Sequence, residues 1–446
     1  MFKLPATILC ISLIFYLFWT YRSEHKDHSA AIWIPFVFML FAGARPISFW
    51  LNYWFGIGSY SDSLEEGNPI ERAYYFVLFV LGLIVLLKRK LDWSGIFRNN
   101  KIICLYFLFC LISISWSDYP FVAFKRLFKT IIPFVMVLIV LTEKRPYAAM
   151  GFIMKRLAFV FLPLSVLFIH YYPIGKSYHA TGSQLFTGVA GTKNSLGMLC
   201  LLAGIYLTYA LFFVRRANDK LGQPLSISKH VILTLMLIWL FYKADSATAL
   251  VCMIVAVGIL FIAQKPAMKL YPNRFITMCL GIIVLFGTLE LAFDIKNILL
   301  EMLGRRADLT TRVPMWHDLL AMIQNPLIGF GNESFWLGER LTYIQERYGA
   351  LIQAHNGYIE TYLNLGAIGL MLLLVWIIGG LKNILSLIRQ SYEGAIFSFT
   401  VIVVACLYNW TEATLYGVNN LWSLFLFATL CVTPNKSNTD EVKENK

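Results

Sequence analysis

Charge is scarce in this chain: only 14% of its 446 residues are Asp, Glu, Lys or Arg, against 58% hydrophobic, and the mean hydropathy is +0.65. That balance excludes an ordinary soluble globular protein. Acidic residues are scarcer still, 25 against 38 basic, which leaves a formal net charge of +13. The basic residues lie scattered in short loops, so they read as positive-inside topology and not as a nucleic-acid surface. Eight cysteines (Cys10, Cys104, Cys110, Cys200, Cys252, Cys279, Cys406 and Cys431) all fall in apolar runs, with no CxxC pair. They read as packing residues, without a disulfide frame. With no Cys/His cluster and no DxD-like carboxylate set, the sequence supports neither a bound metal nor a cofactor. The first half does not align onto the second, which counts against an inverted-repeat transporter. No small-residue cleavage site follows the first apolar run, so it reads as a retained helix.

What the chain does have is apolar runs, repeated along almost its whole length and close to the roughly twenty residues that cross a bilayer core. Inside lipid the backbone must satisfy its own hydrogen bonds, so such runs are helices, whereas a β-barrel would show short alternating segments. The expected fold is an all-α polytopic membrane protein with about 12–13 transmembrane helices and a large helical extracytoplasmic loop. Thirteen spans are expected at 5–20, 31–50, 72–87, 101–116, 121–141, 152–170, 194–214, 229–243, 247–264, 275–293, 358–381, 394–410 and 418–433.

The loop charges alternate. Lys88 to Lys90 with Arg98, Lys144 and Arg145 with Lys155 and Arg156, Arg215 and Arg216 with Lys220 and Lys229, Lys265 with Lys269 and Arg274, and Lys382 with Arg389 fall on one side. By the positive-inside rule that side is the cytoplasm. Asp62, Glu65, Glu66, Asp118, the 171–193 loop, the 294–356 loop and residues 411–420 fall on the other. This count leaves the N-terminus outside and the polar tail 434–446 inside and disordered.

Ionisable groups in or beside spans are expensive and need a reason. Lys125, Arg126 and Lys129 enter the fifth span on one helical face. They either snorkel to headgroups or face a lipid-linked phosphate. Lys193 and Asn194 open the seventh span, where cationic charge meets the positive end of a helix, or where Asn194 or Ser195 simply caps it. Lys243 and Asp245 in the next outer turn are either a structural pair or part of a site, and Arg45-Pro46 is equally open.

The 294–356 loop is the longest polar interval, and it also carries Arg305 and Arg306. Thr310-Thr-Arg312-Val-Pro314 starts a helix with a threonine cap and early proline, and Trp316, Leu319, Leu320 and Ile323 give it an apolar face. Arg312 then presents a planar fork suited to phosphate, or is a solvated surface arginine. Gly329-Phe-Gly331 is a tight turn. His355 stands at the next membrane boundary as a candidate proton acceptor or an ordinary hydrogen-bonded histidine, and Asn356, Glu360 and Asn364 share a helical face behind it. Glu412, in Asn409-Trp-Thr-Glu412, can hold a cation in place, while His317 is expected to point to water or lipid headgroups.

Together these motifs resemble the O-antigen ligase and polymerase superfamily of bacterial membrane proteins. The resemblance rests on Arg312-Val-Pro-Met-Trp316, Asn325-Pro-Leu-Ile-Gly-Phe-Gly331 and His355-Asn-Gly-Tyr-Ile-Glu-Thr-Tyr-Leu-Asn-Leu-Gly-Ala-Ile-Gly369, in that order and spacing. It extends to Lys193-Asn-Ser-Leu-Gly197, Ser246-Ala-Thr-Ala-Leu250 and Asn409-Trp-Thr-Glu412. Arg45-Pro-Ile-Ser48 and Gly67-Asn-Pro-Ile-Glu-Arg72 are similar to the exopolysaccharide-polymerase branch. The chain departs from the family at Thr192, where that branch often has histidine, and at Ala247, where a cation often follows the serine.

The resemblance implies a GT-C-like fold in which residues 1–193 form N-terminal membrane helices and 194–433 an O-antigen ligase-like membrane domain. It implies metal-independent glycosyl transfer at the outer face of the bacterial plasma membrane. The donor is a glycan on polyprenyl diphosphate, the acceptor another glycan, and membrane lipid and other polysaccharide export proteins are the surroundings. His355 and Arg312 are then the catalytic candidates. Lys193, Asn194, Lys125, Arg126, Asn356, Glu412 and Trp316 are the substrate-binding ones, with Trp316 and Tyr358 packing on sugar or prenyl groups. The rivals are a ligase that moves finished glycan to a lipid A core or protein, a transporter or flippase of the same lipid-linked glycan, and a non-catalytic assembly partner.

Overall fold

The computed structural model describes residues 2–57, 67–178, 182–216, 222–279, 281 and 309–432. Asp62, Glu65, Glu66, His179, Lys220, Arg305, Arg306, the tail 434–446 and most of the expected span 275–293 lie outside the described residues.

Helices α1 (Lys3–Thr20), α2 (Trp33–Gly43), α3 (Ile47–Phe55), α4 (Pro69–Lys88), α5 (Trp93–Asn99), α6 (Lys101–Ile112), α7 (Pro120–Leu141) and α8 (Pro146–Tyr171) make up the first part. A two-stranded antiparallel ribbon, β1 (Lys176–Tyr178) and β2 (Gln184–Phe186), precedes α9 (Lys193–Phe212), α10 (Ile227–Ala244), α11 (Ala247–Ala263) and α12 (Pro266–Leu270). Helices α13 (Leu309–Ala321) and α14 (Gly338–Tyr348) belong to the long loop, and α15 (Gly357–Leu387), α16 (Tyr392–Asn409) and α17 (Asn420–Thr429) follow.

The protein is polytopic and, apart from that short ribbon, its regular structure among the described residues is helical. Among the described residues seven helices are long and apolar enough to cross a membrane, and nine spans result if each of two sharply bent pairs is one. Helix α7 coincides with a further expected span but carries Lys125, Arg126 and Lys129, and α11 and α17 are apolar but shorter. The expected span 31–50 is not straight: it bends by 74° between residues 43 and 47, where Pro46 cannot continue the first helix. A second bend, of 87°, sets α5 across the start of α6.

Many helix starts are fixed by side chains. Asn68, Asn356, Ser391 and Asn419 each accept a backbone N–H of the following first turn, and Pro69 follows Asn68 at the first helical position. The innermost layer is α8, α9 and α16, most of whose residues are buried, whereas α1, α4 and α10 are largely exposed on the outside of the bundle. Helices α7 and α17 pack with that layer. Phe425, Trp422 and Trp376 interlock there.

Segments expected on the two sides of the membrane gather at opposite ends of the bundle. At one end Glu24 lies within 2.9 Å of Lys155 and 3.1 Å of Arg156, and all three are buried. Lys155 and Arg156 are therefore not loop charges, as counted from sequence, but part of a buried ion cluster. Cut off from water, two cations and one carboxylate need such pairing, and the backbone oxygens of Gln223 and Tyr21 accept further bonds from them. Arg89, Ser29 and Glu143 form a second cluster at that end.

At the other end lies the long loop, which has its own small core of Met315, Leu319, Phe330, Phe335, Trp336, Ile344, Ala354 and Leu363. Helix α13 begins by Leu309, earlier than the threonine cap suggests, so Pro314 falls inside it. The loop is seated on α15 at an interruption. Gly366 adopts φ 64°, and around it Phe330 N, Gly331 N, Ala367 N and Ile368 N bond to Leu363, Asn364, Pro326 and Leu327 oxygens. Gly329 and Gly331 also have positive φ, which explains the paired glycines: each lets the turn approach another backbone closely.

Candidate active site

The outer segments converge at the start of α15. Asn356 is buried, and its side-chain oxygen accepts from Tyr358 N at 2.9 Å and Ile359 N at 3.1 Å. This cap fixes the first turn and holds its predecessor His355 at φ 50°, a left-handed conformation costing roughly 1–2 kcal/mol for an L-residue.

His355 Nδ1 lies 3.2 Å from Oε2 of Glu412. Donation from Nδ1–H to the carboxylate leaves Nε2 as the acceptor nitrogen. Glu412 is itself buried and multiply held: Asn194 Nδ2 donates to Oε1 at 2.7 Å and Gln353 Nε2 to Oε2 at 3.3 Å. The adjacent Thr411 carbonyl accepts from Arg312 Nη1 at 3.1 Å, and its hydroxyl meets that of Thr248 at 2.9 Å. The two-residue turn Thr411-Glu412 thus collects α9, α11, α13 and the approach to α15. His355, Arg312, Asn194 and Glu412, each singled out in the sequence, are brought together here.

Other candidates sit at its margins. Asn356 caps the helix. The Trp316 indole N–H donates to Ala354 O at 2.7 Å, tying α13 to the irregular segment before His355. Lys193 is half-buried and lines a groove together with residues of α10 and α11, one position before Asn194. Arg126 donates to the backbone oxygen of Glu333, and the Lys125 ammonium lies 4.9 Å from the Phe121 ring. The cationic face of α7 therefore meets a protein carboxyl. Glu333, at φ 49°, accepts from Thr130 Oγ1 at 2.9 Å. Burial pushes its carboxyl above the ordinary range, with Arg126, Thr130 and Lys129 pulling the other way. His317 is exposed, 85% by its side chain. Arg45 bonds Ile174 O and Thr187, bracing the bend before α3.

Sequence reasoning missed Glu333, Gln353, Thr411 and Tyr416. The Tyr416 hydroxyl has Glu360, Glu333, Arg126 and Glu412 as its charged neighbours, and burial first, then the carboxylates, keep it protonated. It lies between the His355 turn and the Arg126 face. Buried Glu360 accepts from Trp336 Nε1 at 2.7 Å and Ala354 N at 2.9 Å, so it ties the loop to α15. Among the described residues no three His, Cys, Asp or Glu side chains are grouped as metal ligands.

A buried carboxylate orienting a histidine, with a guanidinium and an amide on the same turn, can take a proton from a hydroxyl and receive an anionic leaving group. The architecture and this cluster define a multi-pass membrane protein with a polar site at one end of its bundle. The family model described as O-Antigen ligase matches residues 231–374. The exopolysaccharide production protein ExoQ of Rhizobium meliloti (strain 1021) is 26% identical over 361 residues, covering 76% of this chain and 77% of that protein. These findings bear out the resemblance: this is a membrane protein similar to the O-antigen ligase and polymerase superfamily, with an exopolysaccharide-production protein among its relatives. The matched segment contains Arg312 and His355 but neither Asn194 nor Glu412, so the carboxylate half of the site comes from outside it.

Proposed function

We propose that the protein is a glycosyltransferase that polymerises polyprenyl-diphosphate-linked oligosaccharide repeats at the outer face of the plasma membrane. The observation that carries this reading is the His355–Glu412–Asn194 chain meeting Arg312 on one turn. An acceptor sugar hydroxyl loses its proton to His355 Nε2 while its oxygen bonds to the donor's anomeric carbon. The bond from that carbon to the diphosphate breaks, and the leaving diphosphate takes the electron pair. Glu412 stabilises the imidazolium that forms, and Arg312 stabilises charge developing on the leaving group. The protein supplies these groups without a metal. Asn356 positions His355 through the cap, and Tyr416 offers a hydroxyl donor toward bound sugar. Arg126 acts on substrate through Glu333, which it faces together with Lys129, Lys125 adds positive charge at the start of the same helix, and Trp316 shapes the wall behind Ala354.

Ligase activity is the second reading, favoured by the description of the family model. It differs only in the acceptor. Reconstitution into liposomes with a lipid-linked repeat unit, followed by sizing of lipid-attached products, separates the two. A ladder of multiples supports polymerisation. Unextended repeats that move onto a supplied lipid A core or protein would replace it with ligation, and the absence of any transfer would remove both.

A further inference from the structure

Glu333 stands in a turn whose neighbouring residues are fixed on two sides. Asn332 N donates to Ser113 Oγ at 3.0 Å and the Ser334 hydroxyl meets that of Ser117 at 2.6 Å, while Phe335 N donates to Asn364 Oδ1 at 3.1 Å. Between them Glu333 takes φ 49°, which glycine would adopt without strain. The turn is tied to α7 through the Glu333 backbone oxygen, which accepts from Arg126, and that bond needs no carboxyl. A strained position that keeps a long acidic side chain points to a use for that side chain. Its Oε1 accepts from Thr130 at 2.9 Å, whereas among the described residues no hydrogen bond or ion pair reaches Oε2.

Tyr416 is its neighbour. Gly417 N donates to the same Thr130 hydroxyl at 3.2 Å, and Asn419 Nδ2 donates to Tyr416 O at 2.9 Å, which holds Tyr416 in place from both directions. Its phenol has Glu333 and Glu412 among its charged neighbours and, among the described residues, no hydrogen-bond partner. Burial is the foremost influence on both the Glu333 carboxyl and the Tyr416 phenol, yet both residues keep accessible surface. Groups enclosed by protein but still reached by solvent line a recess. The recess follows the chain away from Arg312: Thr411 carries the Arg312 contact, Glu412 the His355 contact and Gly417 the Thr130 contact. At ~3.5 Å per residue Tyr416 is at most about 14 Å from Glu412, within reach of a short oligosaccharide.

We propose that Glu333 and Tyr416 form a subsite for the acceptor glycan, where they bind hydroxyls of a sugar ring beside the one whose hydroxyl His355 deprotonates. The proposal rests on the function argued above and adds where the acceptor lies and which residues select it. A displacement at the anomeric carbon sets the attacking oxygen opposite the leaving group. The order along residues 411–417 puts Arg312 on the leaving-group side of His355, and Tyr416 with Glu333 on the acceptor side. An open carboxyl oxygen and an open phenol select against a ring that lacks the matching hydroxyls, because both would then be left unpaired.

The test uses the full chain in nanodiscs, with His355→Ala to hold transfer back, and two probes: the repeat-unit oligosaccharide released from its lipid diphosphate, and a polyprenyl diphosphate that carries no sugar. Glu333→Ala and Tyr416→Phe should each weaken oligosaccharide binding about tenfold, the scale of one hydrogen bond to an otherwise unpaired buried group. Glu333→Gln, which keeps an acceptor and adds a donor, should retain most of it. Neither Glu333→Ala nor Tyr416→Phe should change binding of the sugar-free lipid, which a merely structural role would move as well. Failure of the His355→Ala chain to bind the oligosaccharide, equal binding by Glu333→Ala and Tyr416→Phe, or parallel loss of both probes would overturn the proposal. Oligosaccharide binding that depends on both residues, without product in the liposome assay, would defeat the functional reading alone. Product formation with binding indifferent to both residues would defeat this proposal alone.

Discussion

His355 Nδ1 and Glu412 Oε2, 57 residues apart in sequence, lie 3.2 Å from each other, and the carboxylate's second oxygen is held by Asn194 from a third helix. The contact settles the imidazole's tautomer and leaves Nε2 as the only ring nitrogen able to take a proton. It also makes the short segment after α16 as much a part of the site as the long loop.

Removing either member should therefore slow transfer without removing the protein from the membrane. His355→Ala should cost on the order of 10²–10⁴ in rate, the usual contribution of a positioned base. Glu412→Gln should cost about 10², and the double variant little more than His355→Ala alone, since groups acting as a unit are not additive. Initial rates of product formation in proteoliposomes measure all three. Fully additive losses would mean that Glu412 serves another group.

Arg312 reaches Thr411 O with one nitrogen of its fork, which leaves the rest of the guanidinium for an anion. Arg312→Lys keeps the charge but cannot hold the turn and a phosphate together. Its rate should fall nearly as far as that of Arg312→Ala, about 10²–10³. Single-turnover rates at saturating donor separate this loss from weaker binding. A lysine variant as fast as the parent would reduce Arg312 to a point charge.

Periodicity made the helices legible, and alternating loop charge separated the two ends of the bundle. Asn194, His355 and Glu412 stood out because polar residues at membrane boundaries are costly, and Arg312 because its fork opens a loop helix within motifs whose order and spacing resemble the family. What stayed hidden depends on long-range placement. Lys155 and Arg156 read as loop cations because their partner, Glu24, is more than a hundred residues away. Glu333 sat in a turn with no motif, and only the packing of that turn against α7 shows that it answers the cations there. Gly366 looked like any glycine in an apolar run, since its need for positive φ arises from the loop docked on it.

That docking gives a third expectation. At Gly366 a side chain would require φ 64° of an L-residue and would run into the Leu327 and Ile328 backbone. Gly366→Ala should destabilise the protein by at least about 1–3 kcal/mol, the range for a residue forced into a sparsely populated conformation. The loop should loosen first, seen as faster proteolysis between residues 326 and 350 and lost activity. Gly379→Ala, where a Cβ meets open space, is the control and should change neither.

Glu333 supplies a pH dependence whose sign can be worked out. Its carboxyl is raised above the ordinary 4.5, burial being the largest cause, so the folded protein holds this proton to higher pH than the unfolded chain does. Between those two values the folded state binds more protons, and stability falls as pH rises. The contribution is fully present below the unfolded value and lost as pH passes the folded one. Glu333→Gln keeps an acceptor for the Thr130 hydroxyl but cannot ionise. Its melting temperature in detergent should decline less than the parent's from pH 4.5 toward neutrality and lie above it at pH 7. Thr130→Val leaves the ionisation and removes the hydroxyl, so it should steepen the parent's decline. If Glu333→Gln were instead the less stable at pH 7, attraction from Arg126 and Lys129 would outweigh burial, and the carboxylate would be the form that holds the loop to α7.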